Sequence, residues 1–160
     1  MKFLKLVLML VAMLVSFSSF AITDDEHVAY TQALRDGDVK TVKKFLDGGV
    51  DVNEKFFTWE ALQIAANQNQ LAVVKLLVER GADLNYKHPI TKMTALQFAA
   101  YGNNQEMIKY LVSKGADINS KMRGNVSIVR AIRDEGNTKM VEFLIANGAK
   151  DDGCLEEKCN

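Results

Sequence analysis

The chain has 160 residues, 48% of them apolar and 25% charged: enough for one ordinary domain or a small repeat array, and outside the composition of a disordered protein. Lys plus Arg and Asp plus Glu stand at 20 each, so no basic excess favours nucleic acid or an anionic membrane as partner. No run of Lys or Arg suggests a local basic patch either.

At the N-terminus, Lys2 and Lys5 precede an unbroken apolar run, Leu6 to Val15, followed by Ser16 to Ala21 with small residues at Ser19 and Ala21. A charged start, a ten-residue apolar stretch and small residues at the cleavage positions read as a signal peptide over residues 1–21, cut after Ala21. An anchor left uncleaved and extending to Phe20 is the other reading of these residues, but a spanning helix needs about 20 apolar residues. The expectation is therefore a periplasmic or secreted protein with no stable membrane span after cleavage.

After Ile22, the first residue expected in the mature chain, Thr23 and Glu26 are spaced as a helix capping box. A first helix then carries Tyr30, Ala33 and Leu34; Asp36-Gly37-Asp38 breaks it, and Val42, Phe45 and Leu46 mark a second. The same helix–turn–helix pattern recurs three times. Ala61 to Ala66 precede Leu71 to Val78, Thr94 to Ala100 precede Glu106 to Val112, and Ser127 to Ile132 precede Lys139 to Ile145. Each second helix ends near a glycine, where a helix C-terminus takes a left-handed residue. Gly49, Gly81 and Gly115 lead the tetrads Val50-Asp51-Val52-Asn53, Ala82-Asp83-Leu84-Asn85 and Ala116-Asp117-Ile118-Asn119, and Gly148-Ala149-Lys150-Asp151 is a degraded fourth. These glycines lie 32, 34 and 33 residues apart, and a period of this size calls for a repeat architecture. The helices are too short to stand alone, so each apolar face must be dried by a neighbouring unit.

On these residues the chain resembles ankyrin-repeat proteins from residue 23 to about 152, with Leu62 to Asn85 and Thr94 to Asn119 following the pattern most closely. The resemblance implies an all-α solenoid of about four helix–turn–helix units with short loop fingers. The units run over about 23–53, 54–85, 86–119 and 120–152 within a domain spanning 22–153, and residues 154–160 form a tail. The family's Thr-Pro-Leu-His is replaced by Glu60-Ala61-Leu62-Gln63, Thr94-Ala95-Leu96-Gln97 and Ser127-Ile128-Val129-Arg130. Without the proline and the hydroxyl–imidazole pair, looser helix starts are expected.

No catalytic constellation is present. His27 and His88 lack a nucleophile or a metal-binding partner at a recognisable spacing, and His88 reads as a solvated loop tip. Asp51, Asp83 and Asp117 recur at one turn position, as do Asn53, Asn85 and Asn119, so both sets read as acceptors for local backbone donors. The sequence predicts no enzyme, no cofactor and no metal. Cys154 and Cys159 in the tail read as a disulfide if the chain is exported; free thiols and a half-formed metal site are the alternatives.

What remains is binding. Arrays of this kind present a concave face made of fingers and the exposed side of each first helix. By position, that face takes Phe56, Phe57, Trp59, Asn67 and Gln68 from the second unit, and Met93 and Tyr101 from the third. The fourth contributes Arg123, Val126 and Asp134, and the first Arg35 and Asp36. Phe56-Phe57-Thr58-Trp59 puts three aromatics where polar residues are usual, and aromatics supply large, rigid contact area at binding hot spots. In the opposing reading, Phe57 or Trp59 folds back on the neighbouring unit as core. The third finger is two residues longer and holds the only proline, Pro89, a second hint of contact. The expected function is a non-catalytic module, monomeric or weakly oligomeric, that binds a folded protein as inhibitor, immunity protein or accessory factor. The alternative is a self-associating scaffold of the envelope.

Overall fold

The computed structural model describes residues 23–152; the segment read as a signal peptide and the two cysteines lie outside the described residues. Eight helices follow in pairs: α1 (Asp24–Asp36) with α2 (Val39–Asp47), α3 (Ala61–Asn67) with α4 (Leu71–Glu79), α5 (Ala95–Tyr101) with α6 (Gln105–Ser113), and α7 (Ile128–Asp134) with α8 (Thr138–Ala146). The first helices form one layer, α3 packed between α1 and α5 and α5 between α3 and α7. Each second helix lies behind its own first helix.

The central first helices have neighbours on nearly every side. Ala61 to Ala66 of α3 and Ala95 to Ala100 of α5 are buried without a break. Alanine at Ala61, Ala65, Ala95 and Ala99 lets the backbones close up, while Leu62, Leu77, Leu96, Ile108 and Leu111 fill the space between layers. No short helix has this core alone, so its burial couples each unit to the next.

α1 begins as its sequence predicts: Thr23 Oγ1 accepts from the Glu26 N–H at 3.3 Å, and Glu26 Oε2 accepts from the Thr23 N–H at 2.9 Å. The other first helices correct the expectation of loose starts. Gln97 is fully buried; its Oε1 accepts from the Thr94 N–H at 2.8 Å and its Nε2 donates to the Ser120 carbonyl at 2.6 Å. Gln63 Nε2 likewise donates to the carbonyls of Tyr86 and Met93, at 3.2 and 2.9 Å. A glutamine amide thus ties each central helix to the next finger, and Ser127 Oγ caps α7 by accepting from the Arg130 N–H at 3.1 Å. The N-cap side chains of α3 and α5, Glu60 and Thr94, make no capping hydrogen bond; at α5 Gln97 closes the turn from the other side, and α3 has no such closure.

The tetrads also need a correction. Each aspartate is local as expected: Asp51, Asp83 and Asp117 accept from the N–H groups of Asn53, Asn85 and Asn119 at 2.9, 2.8 and 2.9 Å. The asparagines reach further. Their Oδ1 atoms accept from Asp83, Asp117 and Lys150 N–H, each at 2.8 Å, so they form a hydrogen-bonded ladder from unit to unit. A second ladder joins the helix turns, where Gln70 Nε2 donates to the Arg35 carbonyl at 2.7 Å and Asn69 Nδ2 to the Gly102 carbonyl at 3.2 Å.

One finger is more than a loop. Lys55–Phe56 (β1) and Trp59–Glu60 (β2) pair antiparallel, with Phe56 opposite Trp59 and Lys55 opposite Glu60.

Candidate functional site

The β1–β2 ribbon places the aromatic finger, and its pairing decides where each ring goes. Phe56 turns inward. It is 6% exposed, with ring centroids 5.4 Å from Tyr30 and 5.2 Å from His27 of α1. The expectation that Phe56 stands free on the finger is therefore corrected: it joins the first unit to the second. Trp59 is half-buried, its ring 4.8 Å from His88 and 5.0 Å from Phe98, and one face of the finger thereby rests on the third unit.

Phe57 sits at the tip and is 100% exposed. Its φ is +58°, and the Thr58 N–H donates to the Phe56 carbonyl at 2.8 Å, so Phe57 is the centre of a γ-turn of the rarer, positive-φ kind. A β-carbon in that region costs about 1–2 kcal/mol, which is why glycine or asparagine is usual there. The ring recovers none of this by packing, being wholly in water.

His88 corrects a further expectation. It is buried, not solvated. The Thr91 N–H and hydroxyl lie 3.4 and 3.3 Å from Nδ1, and Thr58 Oγ1 lies 3.0 Å from Nε2. With Nδ1 accepting, Nε2 is left to donate to Thr58. The Tyr86 hydroxyl also donates to the Thr58 carbonyl, at 3.0 Å. His88 and Tyr86 of the third finger thus hold the base of the second.

Between α1 and this finger runs an open groove of about 1140 Å³. Val28, Thr31 and Arg35 line it on the α1 side, and Phe57, Trp59, Ile64, Asn67 and Gln68 on the other. Phe56, Phe57, Trp59, Asn67 and Gln68 are therefore brought together as their positions suggest, with Phe56 as floor and Phe57 as rim. Val28, 70% exposed and opposite that rim, is a groove residue that sequence reasoning missed. An apolar residue among acids and alanines at the start of α1 was the available signal.

The other candidates lie elsewhere. Met93 is half-buried against the core. Tyr101 is partly exposed, and its hydroxyl is held above the ordinary range, first by partial burial and then by Glu135 and Asp134, which places it next to Asp134. Arg130 Nε lies 3.9 Å from Asp134 Oδ2. Arg123 is exposed on a short 3-10 turn in the fourth finger. None of these residues lines the groove. Among the described residues no group of three His, Cys, Asp or Glu side chains is placed to hold a metal ion, and no helix is long and apolar enough to cross a membrane.

Stacked helix pairs with fingers along one edge define a repeat scaffold. A family model described as ankyrin repeats (3 copies) matches residues 9–88, 30–122 and 86–154, and the chain belongs to that family. Ankyrin repeats are generally protein–protein interaction modules, and theirs is a non-enzymatic interaction fold. Among curated proteins the chain is similar to "Ankyrin repeat, SAM and basic leucine zipper domain-containing protein 1" from several mammals. It is 32% identical over 65 residues to the protein of Atelerix albiventris, 31% over 65 residues to that of Carollia perspicillata, and 31% over 64 residues to that of Mus musculus. Those matches cover 40%, 40% and 39% of this chain and 14% of each relative.

Proposed function

We propose that this protein is an exported, non-catalytic module that recognises a folded protein through the groove between α1 and the second finger. The observation that carries the reading is Phe57, a fully exposed ring on a strained turn at the rim of that groove. Strain of this kind persists where surrounding structure enforces it, and it gathers at ligand-binding positions. Here the ribbon pairing and the Thr58–His88 contact enforce it. A rigid aromatic beside a half-buried tryptophan supplies binding area without ordering a floppy side chain. Export is supported by the charged start, the ten-residue apolar run and the small residues before Ile22. A periplasmic or secreted inhibitor, immunity protein or accessory factor fits these features.

The test is affinity capture from envelope extract with the mature chain and its Phe57→Ala form. A partner retained by the first and lost by the second, at unchanged helical content by circular dichroism, supports the module. Retention of nothing but the chain itself, with light scattering that rises with concentration, would move the assignment to a self-associating scaffold.

A further inference from the structure

The fold gathers charge that is scattered in the sequence. Segments 55–59, 86–94 and 120–127 supply Lys55, Lys87, Lys92, Lys121 and Arg123 to three successive fingers; the carboxylates next to them are Glu54 and the buried Glu60, opposite Lys55, on the second, and the other two segments contain none. The fingers form one edge. The second is tied to the third through Thr58 and His88, and the third to the fourth by the Arg123 N–H donating to the Thr91 carbonyl at 2.9 Å. Lys55 Nζ lies over the Tyr86 ring at 5.1 Å, and Lys121 pairs with Asp152 at 3.2 Å. Lys92 and Arg123 are exposed and have no ion-pair partner among the described residues. Two exposed apolar side chains, Phe57 and Ile90, stand on adjacent fingers within this cationic row.

We propose that the finger edge docks an acidic, apolar-containing segment of the protein partner. The inference rests on the binding-module reading and specifies its partner. Five cations on one edge, of which Lys121 alone has an ion-pair partner among the described residues, set up a local positive potential, which an anionic surface relieves and which steers its approach. The potential also has a direction. Asp24, Asp25 and Glu26 occupy the first turn of α1, and Asp24 lines the groove together with Phe57, so the edge turns acidic at that end. The partner's carboxylates therefore lie over the third and fourth fingers, with its apolar side chains between Ile90 and the groove. An anionic bilayer fits less well, because these acids would meet its headgroups beside the very ring that would insert.

The test uses the full mature chain and fluorescence anisotropy at low salt. The probes are a labelled synthetic peptide alternating Glu and Leu, its Lys and Leu counterpart, and vesicles of phosphatidylcholine and phosphatidylglycerol. The expected result is binding of the acidic peptide alone. Affinity should fall about tenfold in K92E/R123E, stay unchanged in the α2 control K40E/K44E, and weaken steeply as salt rises. Equal affinity for both peptides, no acidic-peptide binding, indifference to K92E/R123E, or capture by vesicles in place of peptide would each overturn the inference. Running K92E/R123E in the envelope capture separates the two levels. If Phe57→Ala loses the partner and K92E/R123E keeps it, the module stands and the acidic partner falls; if both keep it, both readings fall.

Discussion

Glu60 gives the sharpest test of how the stack is held together. It occupies the N-cap of α3, is 3% exposed, and its Oε2 has no hydrogen-bond partner among the described residues. Burial pushes its carboxyl up to about 7, with Asp83 and Asp51 pushing the same way and Lys55 opposing them. The fold thus prefers the neutral acid. Because the folded value lies above the ordinary 4.5, the stability associated with this group is fully present below pH 4.5 and is lost as pH rises towards about 7. Each tenfold change in a protonation equilibrium is worth about 1.36 kcal/mol, so the full loss is on the order of 3 kcal/mol. Glu60→Gln keeps the shape and removes the charge. It should leave stability near pH 4 almost unchanged and raise it by roughly 2–3 kcal/mol at pH 8. Urea unfolding followed by circular dichroism at both pH values reads this directly, provided the slope with urea is the same in the two proteins. If Glu60→Gln is no more stable than the parent at pH 8, or shows the same pH dependence, Glu60 is solvated through a path the structure does not contain and its burial is not what sets its charge.

Gln97→Ala should cost about 2–3 kcal/mol, since it leaves the Thr94 N–H and the Ser120 carbonyl unpaired in a buried place; a loss under about 0.5 kcal/mol in urea unfolding would refute that. Asn85→Ala should cost about 1 kcal/mol and loosen the joint between the second and third units, read as faster amide exchange at Asp117, whose N–H loses its acceptor. Protection at Asp117 unchanged from the parent would show that the ladder is not coupling the units. Phe57→Gly should be at least as stable as the parent, and by up to about 1 kcal/mol more so, because relief of the positive φ exceeds the added chain entropy. A loss above about 1 kcal/mol by thermal unfolding would mean that the ring packs after all.

The repeat was legible because its marks are periodic. Gly81 and Gly115 have φ of +90° and +99° at the foot of second helices, and recurrence at one spacing reveals that demand without any structure. Phe57 was legible for a similar reason, as an aromatic in a place where loops face water. Phe56 was not, because alternation within a ribbon assigns faces only once the register of Phe56 against Trp59 is known. His88 was misread because its burial depends on Thr58 and Trp59, some 30 residues away on another finger. The glutamines at Gln63 and Gln97 looked like lost pairings, yet an amide bridges two places at once: Gln97 through its acceptor and its donor, Gln63 through the two hydrogens of its NH2. The cationic edge was invisible for the plainest reason: its five members come from three segments, none a run of charge.

The departures from the repeat pattern are not spread evenly. Within six residues the second finger carries a ring at positive φ, a half-buried tryptophan, and a buried acid that leaves α3 without a side-chain cap. Where the corresponding helix starts have Thr94 or Ser127, this one has Glu60. The positive φ and the buried, unpaired acid lower stability by physical argument, whereas Trp59 gains it by packing on Phe98 and His88. The stack needs neither of the two destabilising features, because its units are already joined by the core, Phe56 and Trp59 among it, and by the asparagine ladder. Foldability asks local choices to agree with the whole, and disagreement at Phe57 and Glu60, joined by Lys92 at a φ of +59° on the next finger, marks an edge shaped by something other than the fold. Glu60→Gln and Phe57→Gly, made separately, divide that statement. Stability that rises in both while binding falls only with Phe57 would assign the strain at the tip to recognition and the buried acid to the set of the finger beneath it.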